Sequence, residues 1–208
     1  MVRKPDVKRE KLIHVTLNPA AKVYLEESLV VGANLGNAKL EKLSLEKCVV
    51  ESSSFNTTNV AESEVSDTIF EKCDLTAAAF YEARLDRVLI KSTRFQGATL
   101  AESELHDVHF SSSKLDGANF RYSKLTDVLF EKCEMVECDF LGAELENVEF
   151  RNCNLKESQF LSAKLYEVQF PGSNIENIQI GKTSMENVTV STDQALYLSG
   201  ALGLKIKD

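Results

Sequence analysis

The 208 residues contain no tryptophan, only three prolines and only nine glycines. So little Gly and Pro excludes a collagen-like chain, and a hydrophobic fraction of 43% excludes a disordered one. No run of about 18 apolar residues is present to form a membrane-spanning helix. The opening stretch, MVRKPDVKREK, lacks the apolar core of a secretory signal, so a cytoplasmic protein with no membrane partner is expected. Basic runs are missing after the first eleven residues and the formal net charge is -8, which disfavours direct nucleic-acid binding. Catalytic signatures are missing as well: no GxSxG, P-loop, GxGxxG or HExxH occurs.

What is present is a period. All eleven Phe, from Phe55 to Phe170, lie at positions divisible by five, and all five Cys lie two residues before such a position. Every fifth residue from Val30 to Val190 is Leu, Phe, Ile, Val or Met. Two residues earlier, all but Leu43 and Ile178 are Ala, Ser, Thr, Cys or Val. Neither a helix nor a long strand has this period, but three residues of alternation followed by a two-residue corner would produce it. A second period is superposed. Val takes the small site at 88, 108, 128, 148, 168 and 188, and apolar residues take the variable site at 29, 49, 69, 89 and 129. Both sets centre on a twenty-residue coil of four units, whose rungs stack at roughly 4.8 Å. Repeats of this kind bury a continuous core only by stacking on their neighbours.

In these units the chain resembles the pentapeptide-repeat family, whose motif is A-(D/N)-L-x-x. The closest units are Ala33-Asn34-Leu35, Ala118-Asn119-Phe120, Cys73-Asp74-Leu75, Cys138-Asp139-Phe140 and Cys153-Asn154-Leu155. The resemblance implies an all-β solenoid, a right-handed quadrilateral β-helix of about eight coils with a short C-terminal helix. The expected divisions are 1–25 as an N-terminal segment or cap, 26–190 as the β-helix, and 191–208 as a helical cap or dimerisation element. Within the first, Ile13, Val15 and Leu17 suit a strand or cap and Asn18-Pro19 a turn. Within the last, Thr192-Asp193 is expected to cap a helix from Gln194 to about Leu202, with Leu204 and Ile206 extended beyond Gly203. That helix either covers the open end of the solenoid or forms a dimer contact through Leu196, Leu198, Leu202 and Leu204. The second role resembles that of the C-terminal helices of gyrase-targeting members.

The cysteines at 48, 73, 133, 138 and 153 form no CxxC and fall on the small interior site, where Cys acts as a small hydrophobe. Cys133 and Cys153 stack one coil apart, within disulfide reach by backbone spacing, but cytosolic thiols stay reduced. His106 and His109 lie on outward sites and read as solvated. A filled convex rod offers no obvious cleft, so neither an enzyme nor a bound metal or cofactor is expected.

Function must therefore lie on the surface. The side centred on Leu45, Val65, Leu85 and their successors carries eleven acids and five bases. Its variable-site row, Glu64, Arg84, Glu104, Lys124, Glu144 and Lys164, alternates in sign, as ladder stability alone would favour. The excess sits at the corner: Glu46, Asp67, Asp86, Asp107, Asp127, Glu146, Glu167 and Glu186. Gyrase-inhibiting and quinolone-resistance members of the family act as DNA mimics on DNA gyrase or topoisomerase IV. The resemblance thus implies a non-enzymatic DNA mimic that binds a type II topoisomerase through Asp67, Asp86, Asp107, Asp127, Glu146, Glu167 and Glu186, with a link to quinolone or toxin resistance. The chain differs from loop-bearing resistance members in having no insertion, which bears on drug protection more than on mimicry. The alternative is an interaction scaffold with an unrelated partner, docking on the apolar stripe of Leu29, Val49, Ile69, Leu89 and Leu129. Ile13, Val15 and Leu17 folding back over its first coils would instead make that stripe internal.

Overall fold

The computed structural model describes residues 2–17, 22–181 and 185–203. It is a β-solenoid of about eight turns with parallel strands and one short C-terminal helix. Asn18-Pro19, Leu204 and Ile206 lie outside the described residues, so the turn and extended end expected there are not addressed.

The first strands are β1 (Ile13–Val15), β2 (Lys22–Glu26), β3 (Ser28–Val31), β4 (Lys42–Glu46) and β5 (Val49–Glu51). Five eight-residue strands follow: β6 (Glu64–Glu71), β7 (Arg84–Lys91), β8 (Glu104–Ser111), β9 (Lys124–Glu131) and β10 (Glu144–Arg151). The last coils hold β11 (Gln159–Phe160), β12 (Lys164–Tyr166), β13 (Gln179–Ile180) and β14 (Met185–Glu186), before α1 (Thr192–Ala201). From β2 onward the register is twenty residues: Val23 faces Leu43, Val65 faces Leu85, and Phe130 faces Phe150. Bonds such as Leu35 N–H to the Ser54 carbonyl and Ser54 N–H to the Ala33 carbonyl, both 2.8 Å, carry the ladder between coils. Two sides are thus paired mainly by continuous strands; the other two are paired by single bridges such as Asn34 with Ser54 and Lys39 with Asn59, and by the short β11–β13 pair in the last coils.

The long strands bend at Asp67, Arg87, Asp107, Asp127 and Asn147, which all take φ between +45° and +54°. This left-handed position recurs at the second corner residue of nearly every unit, filled far more often by Glu, Ser, Lys and Asp together than by Gly. It was not legible in the sequence, because residues other than Gly and Asn rarely adopt it alone.

The interior follows the period. Phe110, Phe130, Phe150 and Phe170 stack with centroids 4.8–5.1 Å apart. Phe120, Phe140 and Phe160 form a second column at 4.7–4.8 Å, edge-on to the first. The small site is the complement. Its thiols and many of its hydroxyls donate to the carbonyl twenty-three residues back, as Ser103 does to Phe80 at 2.9 Å and Cys138 to Leu115 at 3.1 Å, and the other hydroxyls donate to a carbonyl two or three residues back, as Thr68 does to Ser66 at 2.8 Å. Ser, Thr and Cys are therefore tolerated inside because their one donor is satisfied. All five cysteines are buried and free. Burial pushes the Cys73 thiol up to about 11, and the adjacent Cys153, with burial, raises Cys133. Such thiols are poor nucleophiles.

Both ends are covered. β1 pairs with β3 at an offset of fifteen, Ile13 opposite Ser28 and His14 opposite Leu29, and so shields the first edge of the sheet. At the far end Ser191, not Thr192-Asp193, is the N-cap of α1, because its side chain and that of Gln194 form a reciprocal capping box. The Gln194 amide also donates to the carbonyls of Phe170 at 2.8 Å and Ser173 at 2.7 Å, which no further coil can reach. Leu198 is buried against the last coils, while Leu196 remains 52% exposed and Leu202 is half-buried. Of the leucines expected to form a dimer contact, Leu198 is thus turned inward and Leu204 lies outside the described residues. Among the described residues no helix is long and apolar enough to cross a membrane.

Candidate functional site

The bend in the long strands sets the acidic corner beside the apolar stripe, because β6 to β10 run through both. The alternating row on the adjoining side pairs in register, with Lys164 bonded to Glu144 at 2.5 Å and Arg84 facing Glu104 at 3.6 Å. Its charges sum to zero, which leaves the corner as the unbalanced feature.

The corner divides into two parts. Asp67 and Asp107, only 7% and 2% exposed, are taken up within the chain. Arg87 clasps Asp67 with bonds of 2.8 and 2.6 Å and also reaches Asp86. The backbone N–H of Asp6 adds a bond of 3.0 Å to Asp67. The Arg87 bonds, with this N–H, hold the Asp67 carboxyl below its ordinary range against burial. At Asp107 burial raises the pKa, but Arg3 outweighs it, donating its backbone N–H to one oxygen at 2.7 Å and its Nε to the other at 2.6 Å. Asp86 and Asp127 are half-exposed, and Glu46, Glu146, Glu167 and Glu186 are exposed. In this conformation the corner therefore presents carboxylates mainly along the C-terminal half of the rod.

The segment that covers the first half was not anticipated. Residues 2–11 run along the stripe against the direction of the coils, Arg3 at Asp107, Asp6 at Asp67 and Arg9 at Glu71, with Arg9 Nη2 to Glu71 at 2.5 Å. Val2, Pro5 and Val7 are half-buried, while the charged residues between them are exposed. It is this strap that lies over the apolar row, not the Ile13–Leu17 stretch; Ile13 is 67% exposed at the edge of the sheet. Val49 is fully buried, and Ile69, Leu89 and Leu129 are half-buried. Val2 to Pro5, with Ile69, Leu89, His109 and Leu129, line a groove of about 580 Å³ that continues to Glu149 and Gln169. The cleft not expected on a convex rod exists because the strap supplies one of its walls.

His106 also differs from its expected solvated state. Its Nδ1 lies 2.9 Å from Asp86 and 3.3 Å from Asp107, and its Nε2 is 3.8 Å from Asp127. The twenty-residue period places positions 86, 106 and 127 about one coil apart, so this cluster could have been found from the sequence. Donor atoms of Asp86, His106 and Asp107 approach within 4.8 Å of one another, as a metal site would require. Both Asp107 oxygens are engaged by Arg3, however, so the arrangement works as an ion-pair cluster. Burial lowers the pKa of His109, against the opposing effect of Glu131.

A pentapeptide repeat region family model matches residues 63–140 and 103–180. Among solved structures, full-length QnrB1, a plasmid-mediated fluoroquinolone resistance protein, is similar at 19% identity, with a TM-score of 0.51 over 88% of this chain and 90% of that one. A trypsin-treated form of QnrB1 gives 20% identity and a TM-score of 0.49 over 93% and 99%. HetL, a pentapeptide repeat protein involved in heterocyst differentiation regulation in the cyanobacterium Nostoc sp. strain PCC 7120, gives 18% identity and a TM-score of 0.37 over 82% and 90%. No curated protein matches the chain in sequence. At these identities the likeness to full-length QnrB1 shows the fold.

Proposed function

The chain belongs to the pentapeptide-repeat family, and from that premise we propose that it is a non-enzymatic binding protein whose acidic corner engages the DNA-binding surface of a type II topoisomerase. The reading rests on one observation: Glu146, Glu167 and Glu186 are exposed, and Asp127 half-exposed, at successive coils of a rod whose register is uninterrupted. Duplex DNA presents one negative charge per roughly 1.7 Å of axis, and a protein groove that accepts it is lined with bases. A rigid ladder of carboxylates offers that groove the same sign of charge on a preformed scaffold, which favours steered encounter.

DNA gyrase or topoisomerase IV is the proposed partner, in the cytoplasm, with no direct contact to nucleic acid. QnrB1 is described as a fluoroquinolone resistance protein, and quinolone protection is the finer form of this reading. A homodimer through the outer face of α1, where Leu196 is exposed, would extend the rod to two acidic ladders.

A supercoiling assay with purified gyrase tests the proposal. Inhibition, or relief of quinolone inhibition, is expected at micromolar protein. The triple reversal Asp127→Lys, Glu146→Lys and Glu167→Lys should weaken it at least tenfold. Wild-type protein that does neither removes the topoisomerase reading. The second reading, a scaffold for an unrelated protein, is favoured by the groove beneath the strap.

A further inference from the structure

We propose that the groove along Ile69, Leu89, His109 and Leu129 is a docking site for an extended basic segment of a partner protein, with residues 2–9 of this chain as its internal competitor. The strap shows which ligand chemistry the groove accepts. Its apolar residues Val2, Pro5 and Val7 face the rod, and its basic residues reach out to the two flanking corners. Arg3 is held at Asp107 on one edge and Arg9 at Glu71 and Glu51 on the other. An extended chain with alternating apolar and basic side chains therefore matches both the floor and the rims.

The strap is held chiefly where Arg3 meets Asp107 and Asp6 meets Asp67, and only by exposed pairs elsewhere. None of residues 2–11 is fully buried, and Arg9 bonds its partners with both sides partly in water. Exposed ion pairs of this kind contribute little to stability and are screened by salt. The rod itself is closed by its own coils and caps, so removing the strap does not expose its core. The groove also continues past Val2, where Leu129 and Glu131 repeat the floor and one rim one coil further on. Lys91 lies beside Glu71 and Arg151 beside Glu131, so this rim is partly neutralised along its length and the groove selects an amphipathic segment over a purely cationic one. An incoming segment can engage the stretch past Val2 first and then displace the strap residue by residue. The inference goes beyond the topoisomerase reading, and no topoisomerase enters its test.

The probe is a fluorescein-labelled peptide of the sequence VRKPDVKREK, titrated by anisotropy against the full chain. A full-length variant with Arg3→Ala and Arg9→Ala loosens the strap at exposed positions. The peptide should bind this variant at least tenfold more tightly than wild type, and the affinity should fall as salt is raised. Adding Glu71→Gln and Leu129→Ser to the loosened chain should each weaken binding severalfold. Failure of the peptide to bind the loosened chain, or binding indifferent to both added substitutions, overturns the proposal. A loosened chain that dimerises in light scattering without taking up peptide assigns the groove to a second copy of the chain, and overturns it as well.

Discussion

At the scale of single residues, every Phe ring and every cysteine belongs to the buried core. The five-residue period placed both types inside, and the structure stacks the Phe rings in two columns while satisfying each thiol with a backbone carbonyl. A fully buried ring in such a column leaves a cavity when truncated, so Phe130→Ala should cost about 3–5 kcal/mol in chemical denaturation. The left-handed corners were not readable, because side chains as different as Lys72, Ala77 and Tyr122 occupy them. Stacking of neighbouring coils fixes the backbone there and overrides local preference. Gly97 isolates that strain: its φ is +63°, and a Cβ added to it would meet nothing within 4 Å. Gly97→Ala should therefore lower stability by about 1 kcal/mol through backbone conformation alone, seen as a shift in urea midpoint.

At the level of elements, the solenoid was legible and its attachments less so. The strap escaped notice because its contacts, Arg3 with Asp107 and Asp6 with Asp67, are 104 and 61 residues apart and obey no period. Only its excess of bases over acids, set against an acidic chain, pointed toward such a contact. The two carboxyls that anchor it are held below their ordinary range. A carboxylate with a lowered native pKa contributes stability above its unfolded value, near 3.9, and loses that contribution as pH falls through the native value. The amides of Arg3 and Asp6 should accordingly be protected from exchange near neutral pH and lose protection only as pH falls below the ordinary carboxylate range and through the lowered native values, after correction for intrinsic rates. Protection unchanged across that window would show that the carboxylates do not hold the strap. At the other end, the small polar side chain of Gln194 seals two carbonyls and Leu198 seals the core. Leu198→Asp should therefore destabilise the last coils whatever the oligomeric state. Leu196→Asp should leave the melting temperature unchanged and, in light scattering, convert any dimer to monomer.

The whole molecule is a rod with its charge gathered along one corner, and the sequence located that corner correctly as a row. It could not show that the row is shared between an internal strap and the solvent, since that depends on where the first eleven residues lie. The face proposed to bind the topoisomerase is accordingly the C-terminal half, at Asp127, Glu146, Glu167 and Glu186. Competition for gyrase between this protein and a labelled DNA duplex tests that face most directly. The expected result is displacement of the duplex by wild-type protein, and little displacement by the Asp127→Lys, Glu146→Lys, Glu167→Lys variant. A ternary complex in which gyrase holds both the protein and the duplex, or equal displacement by the reversed variant, would contradict it.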